Sequence, residues 1–130
     1  MKKFKFGIIE LLGCIAILLW ASTILLRNIN LSNHPIYLFF LGSSPNLCAA
    51  WVTTMFGKWM ILISKQNYTF KIHQLLCFGI VVMALLSEVV YDLFFNSRFD
   101  LIDFFVTIIA QLIIFLLPLL IHKEELFNQH

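Results

Sequence analysis

Charged residues are scarce in this sequence. They make up 12% of its 130 residues, whereas hydrophobic residues make up 61% and the mean hydropathy is +0.92. Soluble domains are about half apolar and about a quarter charged, and a chain of this length folded in water could not bury so much apolar surface. The figures exclude a soluble fold and a disordered chain, and the small net charge of +2 argues against a nucleic-acid partner. They predict a protein whose solvent is lipid.

Cysteines are also few, and the sequence patterns of common enzymes are missing. The three cysteines lie far apart in apolar stretches, which indicates buried small residues rather than disulfides or a zinc site: Cys14, Cys48 and Cys77. The chain has no His-Glu-x-x-His, no Gly-x-Ser-x-Gly, no phosphate-binding glycine loop and no Cys-x-x-Cys. We therefore expect a non-enzymatic protein with no cofactor and no metal.

Four apolar stretches are long enough to cross the hydrocarbon core of a bilayer, which takes about 20 helical residues. Short turns at 64–71 and 96–100 make the helices that they join antiparallel neighbours. The sequence thus predicts an all-α membrane protein, a four-helix transmembrane bundle. Residues 1–130 form one integral membrane domain, with spans at about 6–27, 45–63, 72–95 and 101–121.

Two prolines give predictions about where helices begin and end, and the segment between the first two spans gives a prediction about its place in the membrane. Ser44 and Pro45 suit the N-cap and first position of the second helix, and Pro118 predicts a kink or an early end of the fourth. The segment 28–43 has a short apolar centre that cannot span, so it lies at the interface or enters the membrane as a re-entrant half-helix. The first apolar run continues through Leu26 without a small-x-small site, which favours an uncleaved span over a signal peptide.

Basic residues are distributed unequally between the two sides of the predicted bundle. The side that holds both termini carries six lysines, and the other side carries two arginines. Because cytoplasmic loops are enriched in Lys and Arg, we expect a multi-pass protein of the cell (inner) membrane with both termini in the cytoplasm. Lys58 would snorkel to the cytoplasmic side. The six lysines are Lys2, Lys3, Lys5, Lys65, Lys71 and Lys123, and the two arginines are Arg27 and Arg98.

Small and polar residues fall on one stripe of each span, as expected where membrane helices pack closely. In the first span the stripe holds Glu10, Cys14, Ala21 and Asn28. We expect Glu10 to form an ion pair with the N-terminal lysines. The histidines near cytoplasmic ends are interpreted as interface residues: His73, His122 and His130.

Carboxylates gather at the outer end of the third and fourth spans. Glu88 and Asp92 lie one turn apart in the third span. Asp100 and Asp103 share a face at the start of the fourth span, and Arg98 lies in the turn between the two spans. Four carboxylates against one guanidinium cannot persist unpaired in a low dielectric, so a carboxyl holds its proton, or a cation or basic ligand binds. These residues form the predicted functional cluster, and four more support it: Asn46, Tyr91, Thr107 and Gln111.

Part of this cluster also has a purely structural explanation. Asp100 and Asp103 would cap the positive N-terminal end of the fourth helix, with Arg98 neutralising one of them. Capping does not reach Glu88, which lies well inside its helix, and ionisable groups within a membrane are functional by default. His34 in the preceding loop would complete an oxygen-and-nitrogen metal site, although a solvated loop histidine is the simpler explanation.

The motif Ser-Glu-Val-Val-Tyr at 87–91, followed by Arg-Phe-Asp-Leu-Ile-Asp at 98–103, resembles the C-terminal half of VanZ-like proteins, which are small bacterial membrane proteins with several spans. The segment Gly-Ser-Ser-Pro-Asn at 42–46, followed by Leu-Cys-Ala-Ala at 47–50, is similar to a segment in a subset of them. The resemblance covers about residues 42 to 121. It departs from the family at three positions, where the family often has Gln, Asn and Gly: Tyr91, Thr107 and Ala110.

The resemblance implies a protein of the bacterial cell envelope, since the name-giving member confers low-level resistance to the glycopeptide teicoplanin. Our leading hypothesis is a non-enzymatic protein whose cluster engages an envelope component, a cation or a partner helix at the outer leaflet. A proton- or cation-coupled small transporter is an alternative, in which an oligomer of identical chains is expected and Glu88 titrates. Another is a metal-dependent membrane enzyme acting on a lipid-linked substrate.

Overall fold

The computed structural model describes residues 7–29, 33–95 and 100–121, and the regular structure in these ranges is helical. It consists of α1 (Ile8–Ile29), α2 (Pro35–Ile63), α3 (Phe70–Phe95) and α4 (Leu101–Ile121). Each helix is long and apolar enough to cross a membrane. The predicted all-α four-helix bundle of a multi-pass membrane protein is confirmed.

The helices run alternately up and down. Glu10 at the start of α1 contacts Lys58 near the end of α2, and the hydroxyls of Thr23 and Ser44 lie 2.8 Å apart further along the same pair. The ring of Phe70 in the first turn of α3 packs on an aromatic ring near the end of α4. We call the end at which α1 begins and α4 ends the proximal end. The opposite end, at which α1 and α3 end and α2 and α4 begin, is the distal end.

Helix α2 is longer than expected. It begins at Pro35, after His34 has capped it by accepting a hydrogen bond from the Ile36 N–H at 3.4 Å, and it continues through Pro45 to Ile63. The structure here differs from the sequence expectation, because residues 35–43 are the first turns of a spanning helix. They are not a separate interfacial or re-entrant segment.

A donor on α1 explains how α2 continues through a proline. Pro45 has no N–H for the carbonyl four residues before it, which belongs to Leu41. Arg27 Nη2 donates to that carbonyl at 2.6 Å, and Tyr37 Oη donates in return to the Leu26 carbonyl of α1 at 3.1 Å. Hydrocarbon offers no substitute donor. The arginine therefore satisfies the acceptor that the proline leaves open.

The same arrangement occurs at Pro118 in α4. The carbonyl without an N–H partner is that of Ile114, and the His73 imidazole of α3 hydrogen-bonds to the carbonyls of Ile114 and Phe115. The imidazole also stacks on the Phe115 ring, with centroids 5.8 Å apart and an interplanar angle of 11°. As a result α4 does not end early at Pro118 but runs on to Ile121.

The helices are not equally embedded in the bundle. Helices α1 and α2 approach so closely that a Cβ at Gly13 would lie 2.8 Å from Met55 Cβ. Helix α3 is the least covered, with His73 and Cys77 as its buried residues in the part of the chain that the structure describes. Cys77 and Cys48 are buried as predicted, whereas Cys14 is exposed on α1, contrary to the prediction.

Replacing Arg27 with methionine should lower the free energy of unfolding by about 1–2 kcal/mol, because the Leu41 carbonyl loses its donor. The same substitution should cost much less in a Pro45→Ala background, where the new backbone N–H at position 45 takes that carbonyl. Unfolding by SDS in mixed micelles, followed by circular dichroism, measures both differences. An equal loss of unfolding free energy in the two backgrounds would show that Arg27 does not compensate for the N–H that Pro45 lacks.

Candidate functional site

The predicted carboxylate cluster lies at the distal end, where α3 meets the start of α4. Glu88 Oε2 accepts a hydrogen bond from the Asp100 backbone N–H at 3.3 Å. Asp100 Oδ1 in turn accepts from the N–H groups of Ile102 at 2.9 Å and Asp103 at 3.4 Å. These hydrogen bonds join the Glu88 carboxylate to the backbone of Asp100, and the Asp100 carboxylate to the first turn of α4, where Asp103 takes part through its backbone N–H.

These contacts divide the roles of the three residues. Asp100 is the N-cap of α4, so the structural explanation considered for it from the sequence holds. Glu88 belongs to another helix and reaches the N–H of the capping residue itself. No ion pair joins these carboxylates to a lysine or arginine within the described ranges, and Arg98 lies outside them. The carboxylates of Glu88 and Asp100 are therefore held by backbone N–H groups, and Asp103 contributes its own N–H to this arrangement.

Asp92 and Tyr91 lie further along α3, and both are exposed. The Tyr91 ring packs on Phe95, with centroids 5.4 Å apart. The structure describes no contact between Asp92 and the other carboxylates. Asp92 therefore shares their end of the bundle but not their hydrogen bonds.

A groove with a volume of about 690 Å³ opens along the side of the bundle between α2 and α3 and reaches α4. Its walls are mostly small and aliphatic, and four polar side chains line it: Asn46, Thr53, Ser87 and Thr107. Ser87 immediately precedes Glu88, and Thr107 Oγ1 donates to the Asp103 carbonyl one turn away at 3.0 Å. The groove therefore runs from the hydrocarbon-facing side of the bundle towards the carboxylates, and the predicted supporting residues Asn46 and Thr107 line it.

Gln111, also predicted as a supporting residue, lies elsewhere. Its Nε2 donates to the Ala50 carbonyl at 3.1 Å and to Thr54 Oγ1 at 3.2 Å. On the same pair of helices, Trp51 Nε1 donates to the Ala110 carbonyl at 2.8 Å. Polar side chains of this kind hold membrane helices together. Gln111 thus joins α2 to α4 and makes no described contact with the carboxylates.

A second ionisable cluster, which the sequence did not predict, lies near the proximal end. Glu10 is fully buried, Lys58 is nearly so, and Lys58 Nζ lies 2.6 Å from Glu10 Oε1. This contact is electrostatic, because no described donor makes a hydrogen bond to that oxygen. The other oxygen, Oε2, accepts from the Gly7 N–H at 2.9 Å, so that Glu10 also caps α1.

One expectation about these charges is thereby corrected, and another falls outside the described residues. Lys58 does not snorkel to the surface but turns inward to Glu10, because an acidic partner lies at the same depth on α1. Glu10 has its described partner on α2, and the N-terminal lysines expected to pair with it lie outside the described residues. Opposite charges at matching depths of two neighbouring antiparallel spans are the sequence signal that could have found the pair.

Tyr68 packs beside the lysine of this ion pair, and His73 contacts Tyr68. Tyr68 Oη lies 2.6 Å from His73 Nδ1, and Lys58 Nζ lies 5.7 Å from the centroid of the Tyr68 ring. His73 is fully buried, so its interpretation as an interface residue is wrong: its ring is needed inside the bundle by the α4 carbonyls. Burial raises the pKa of the Tyr68 phenol, and the nearby Cys77 and Glu10 raise it further. Tyr68 therefore stays protonated, and in the tautomer in which its hydroxyl donates to His73 Nδ1 the imidazole carries its proton on Nε2.

Comparisons with known proteins add no relative: no family model, curated protein or solved structure matches this chain. The resemblance to VanZ-like proteins therefore stays a prediction that rests on the motif residues. Within residues 7–29, 33–95 and 100–121, no three His, Cys, Asp or Glu side chains are grouped as metal ligands.

Removing one partner of the proximal ion pair should be strongly destabilising. Lys58→Met leaves the Glu10 carboxylate buried without a counter-charge and should lower the free energy of unfolding by about 3–5 kcal/mol. Glu10→Gln combined with Lys58→Met should recover most of that loss, since the amide oxygen can still accept from the Gly7 N–H. SDS unfolding of the purified variants measures both.

The control for this prediction is Lys65→Met, which removes an exposed lysine at the same end and should change stability by no more than about 0.5 kcal/mol. Losses that simply add in the double variant would contradict a coupled ion pair.

Proposed function

We propose that this chain is a non-enzymatic protein of the bacterial cell membrane that binds an envelope component, or an antibiotic directed at the envelope, at the outer leaflet. The ligand carries a cationic group, which the distal carboxylates engage, and an apolar portion, which enters the α2–α3 groove. The observation that carries the proposal is the hydrogen-bonded junction of Glu88 with Asp100, which adjoins the groove-lining Ser87 and has Asp103 in the same turn of α4.

Charge supports this ligand class. Glu88, Asp100 and Asp103 bring like charges to one end of the bundle, and the hydrogen bonds described for the Glu88 and Asp100 carboxylates come from neutral backbone N–H groups. A cationic group bound between them would offset the repulsion more strongly than water does, because the dielectric at the membrane boundary is low. A ligand without positive charge would gain none of this, so the cluster favours a cationic one.

The groove supports an amphiphilic ligand. It is open along the side of the bundle, so a molecule can enter it from the bilayer without passing through water. Its hydroxyl and amide groups come from all three helices that line it, and apolar side chains cover the rest. Such a mixture of apolar surface and a few polar groups is typical of small-molecule sites.

The unequal distribution of basic residues supports the orientation. In the described part of the proximal end, Lys65 and Lys71 are exposed, and Arg27 is the corresponding basic residue at the distal end. Under the positive-inside rule the proximal end lies in the cytoplasm and the carboxylates face outward. The VanZ-like resemblance supports the same compartment, because it implies action on the cell envelope and tolerance of glycopeptides.

The orientation can be tested by cysteine labelling in intact bacteria. In a background without native cysteines, Asp92→Cys should react with a membrane-impermeant maleimide in intact cells, whereas Lys65→Cys should react only after lysis. Labelling of both positions from the same side would contradict the four-span topology, and the reverse pattern would place the carboxylates in the cytoplasm. The native cysteines to be replaced are Cys14, Cys48 and Cys77.

Glu88→Gln should abolish tolerance of teicoplanin in a bacterial host that expresses the chain. It removes a charge, and a lost charge-assisted contact of about 1.5–3 kcal/mol weakens ligand binding about tenfold or more. The amide oxygen can still accept from the Asp100 N–H, so the junction of α3 and α4 is kept. The minimum inhibitory concentration, measured at matched membrane levels of the protein, gives the result.

Asp92→Asn is the matched control, because it removes a carboxylate one turn away that has no described contact with the others. It should leave tolerance close to that of the unchanged protein. Equal losses in the two variants would show that only the overall negative charge of this end matters. Full tolerance with Glu88→Gln would show that Glu88 is not part of the ligand site.

A further inference from the structure

A second groove lies on the other side of α3, between α3 and α4, with a volume of about 520 Å³. Its walls are largely aliphatic and aromatic, and it is open along the side of the bundle. Lys71 and Gln74, from the first turns of α3, line its proximal end. Lys71, Leu75 and Phe78 follow one another on a single face of the helix. The result is an apolar trough with an ammonium and a carboxamide at the end where the bundle meets the membrane boundary.

The charge around this end of the trough is positive. Lys71 is exposed, and Lys65 at the end of α2 is exposed as well. Glu10 is the acidic residue in the described part of the proximal end, and it is fully buried and paired with Lys58. The other described carboxylates belong to the distal end. No described carboxylate therefore neutralises Lys71.

We propose that the α3–α4 groove binds an anionic phospholipid, with an acyl chain along the apolar walls and the phosphodiester at Lys71 and Gln74. Basic pockets between membrane helices are known to bind anionic head groups. A lysine ammonium attracts a phosphate as a point charge, and a glutamine amide adds a directed donor. A zwitterionic lipid fills the same trough but carries its own positive charge, so it gains less from Lys71. The site is separate from the distal carboxylates and does not depend on their function.

The bound lipid has a structural task. Helix α3 is the least covered of the four, and the trough separates its middle from α4. An acyl chain in the trough supplies the packing contacts that α3 otherwise lacks on this side. Binding of the lipid therefore stabilises the position of α3 in the bundle.

Native mass spectrometry of the purified full chain tests the proposal. The probes are phosphatidylglycerol and phosphatidylcholine with identical acyl chains, titrated in the same detergent. One phosphatidylglycerol per chain should bind in preference to phosphatidylcholine. Lys71→Gln should reduce this preference about fivefold, the effect expected of one basic residue near an anionic head group. Absence of a preference in the unchanged protein would overturn the proposal.

Two control variants separate the trough from general surface charge. Lys65→Gln removes an exposed lysine of the same end that does not line the trough, and it should leave the preference intact. An equal loss with Lys65→Gln would overturn the site in favour of diffuse attraction. Val81→Trp fills the trough while keeping Lys71, and it should reduce phosphatidylglycerol binding. Unchanged binding by a helical, monodisperse Val81→Trp variant would overturn the placement of the acyl chain, and Leu112→Trp repeats that test from α4.

Discussion

Hydrocarbon supplies neither hydrogen-bond donors to carbonyls nor solvation to charges, and this constraint decides which polar residues the bundle contains. Each of the two prolines within a helix leaves one carbonyl without its N–H partner. A side chain of the neighbouring helix serves each carbonyl: Arg27 of α1 for α2, and His73 of α3 for α4. Tyr68 Oη in turn lies 2.6 Å from His73 Nδ1. Polar residues that are far apart in the sequence thus meet the same need, which is a hydrogen-bond partner for a carbonyl that a proline leaves open.

The two ionisable clusters meet the same constraint in opposite ways. The proximal one balances its charges internally, because Glu10 and Lys58 form a pair, with Tyr68 beside the lysine. In the distal one, backbone N–H groups hold the carboxylates of Glu88 and Asp100, Asp103 lies one turn further along α4, and no described cation pairs with them. A buried pair of balanced charge has little to offer a ligand, whereas an unbalanced acidic group at a groove does. This difference is why we place the function at the distal end.

The helices could be predicted from the sequence, but their rotation about their own axes could be predicted only in part. On α4, Thr107 and Gln111 are both buried, as their polar stripe indicated. On α1, Glu10 of the predicted stripe is buried but Cys14, Ala21 and Asn28 are exposed, and the face with Gly13, Ala16 and Thr23 packs instead. Lipid-facing and buried positions are equally apolar in a membrane, so hydrophobicity does not distinguish them. The start of α2 was predicted too late for a related reason. Arg27, which donates to the carbonyl that Pro45 leaves without a partner, lies on α1.

Helix α3 links the two proposals, because each groove uses one of its sides as a wall. It is fastened near its ends, by His73 to the carbonyls of α4 and by Glu88 to the start of α4. Between these points it packs loosely, with no buried residue after Cys77 in its described length. A molecule in one groove therefore contacts the same helix that forms a wall of the other groove. Any energetic coupling between the two sites must be reciprocal.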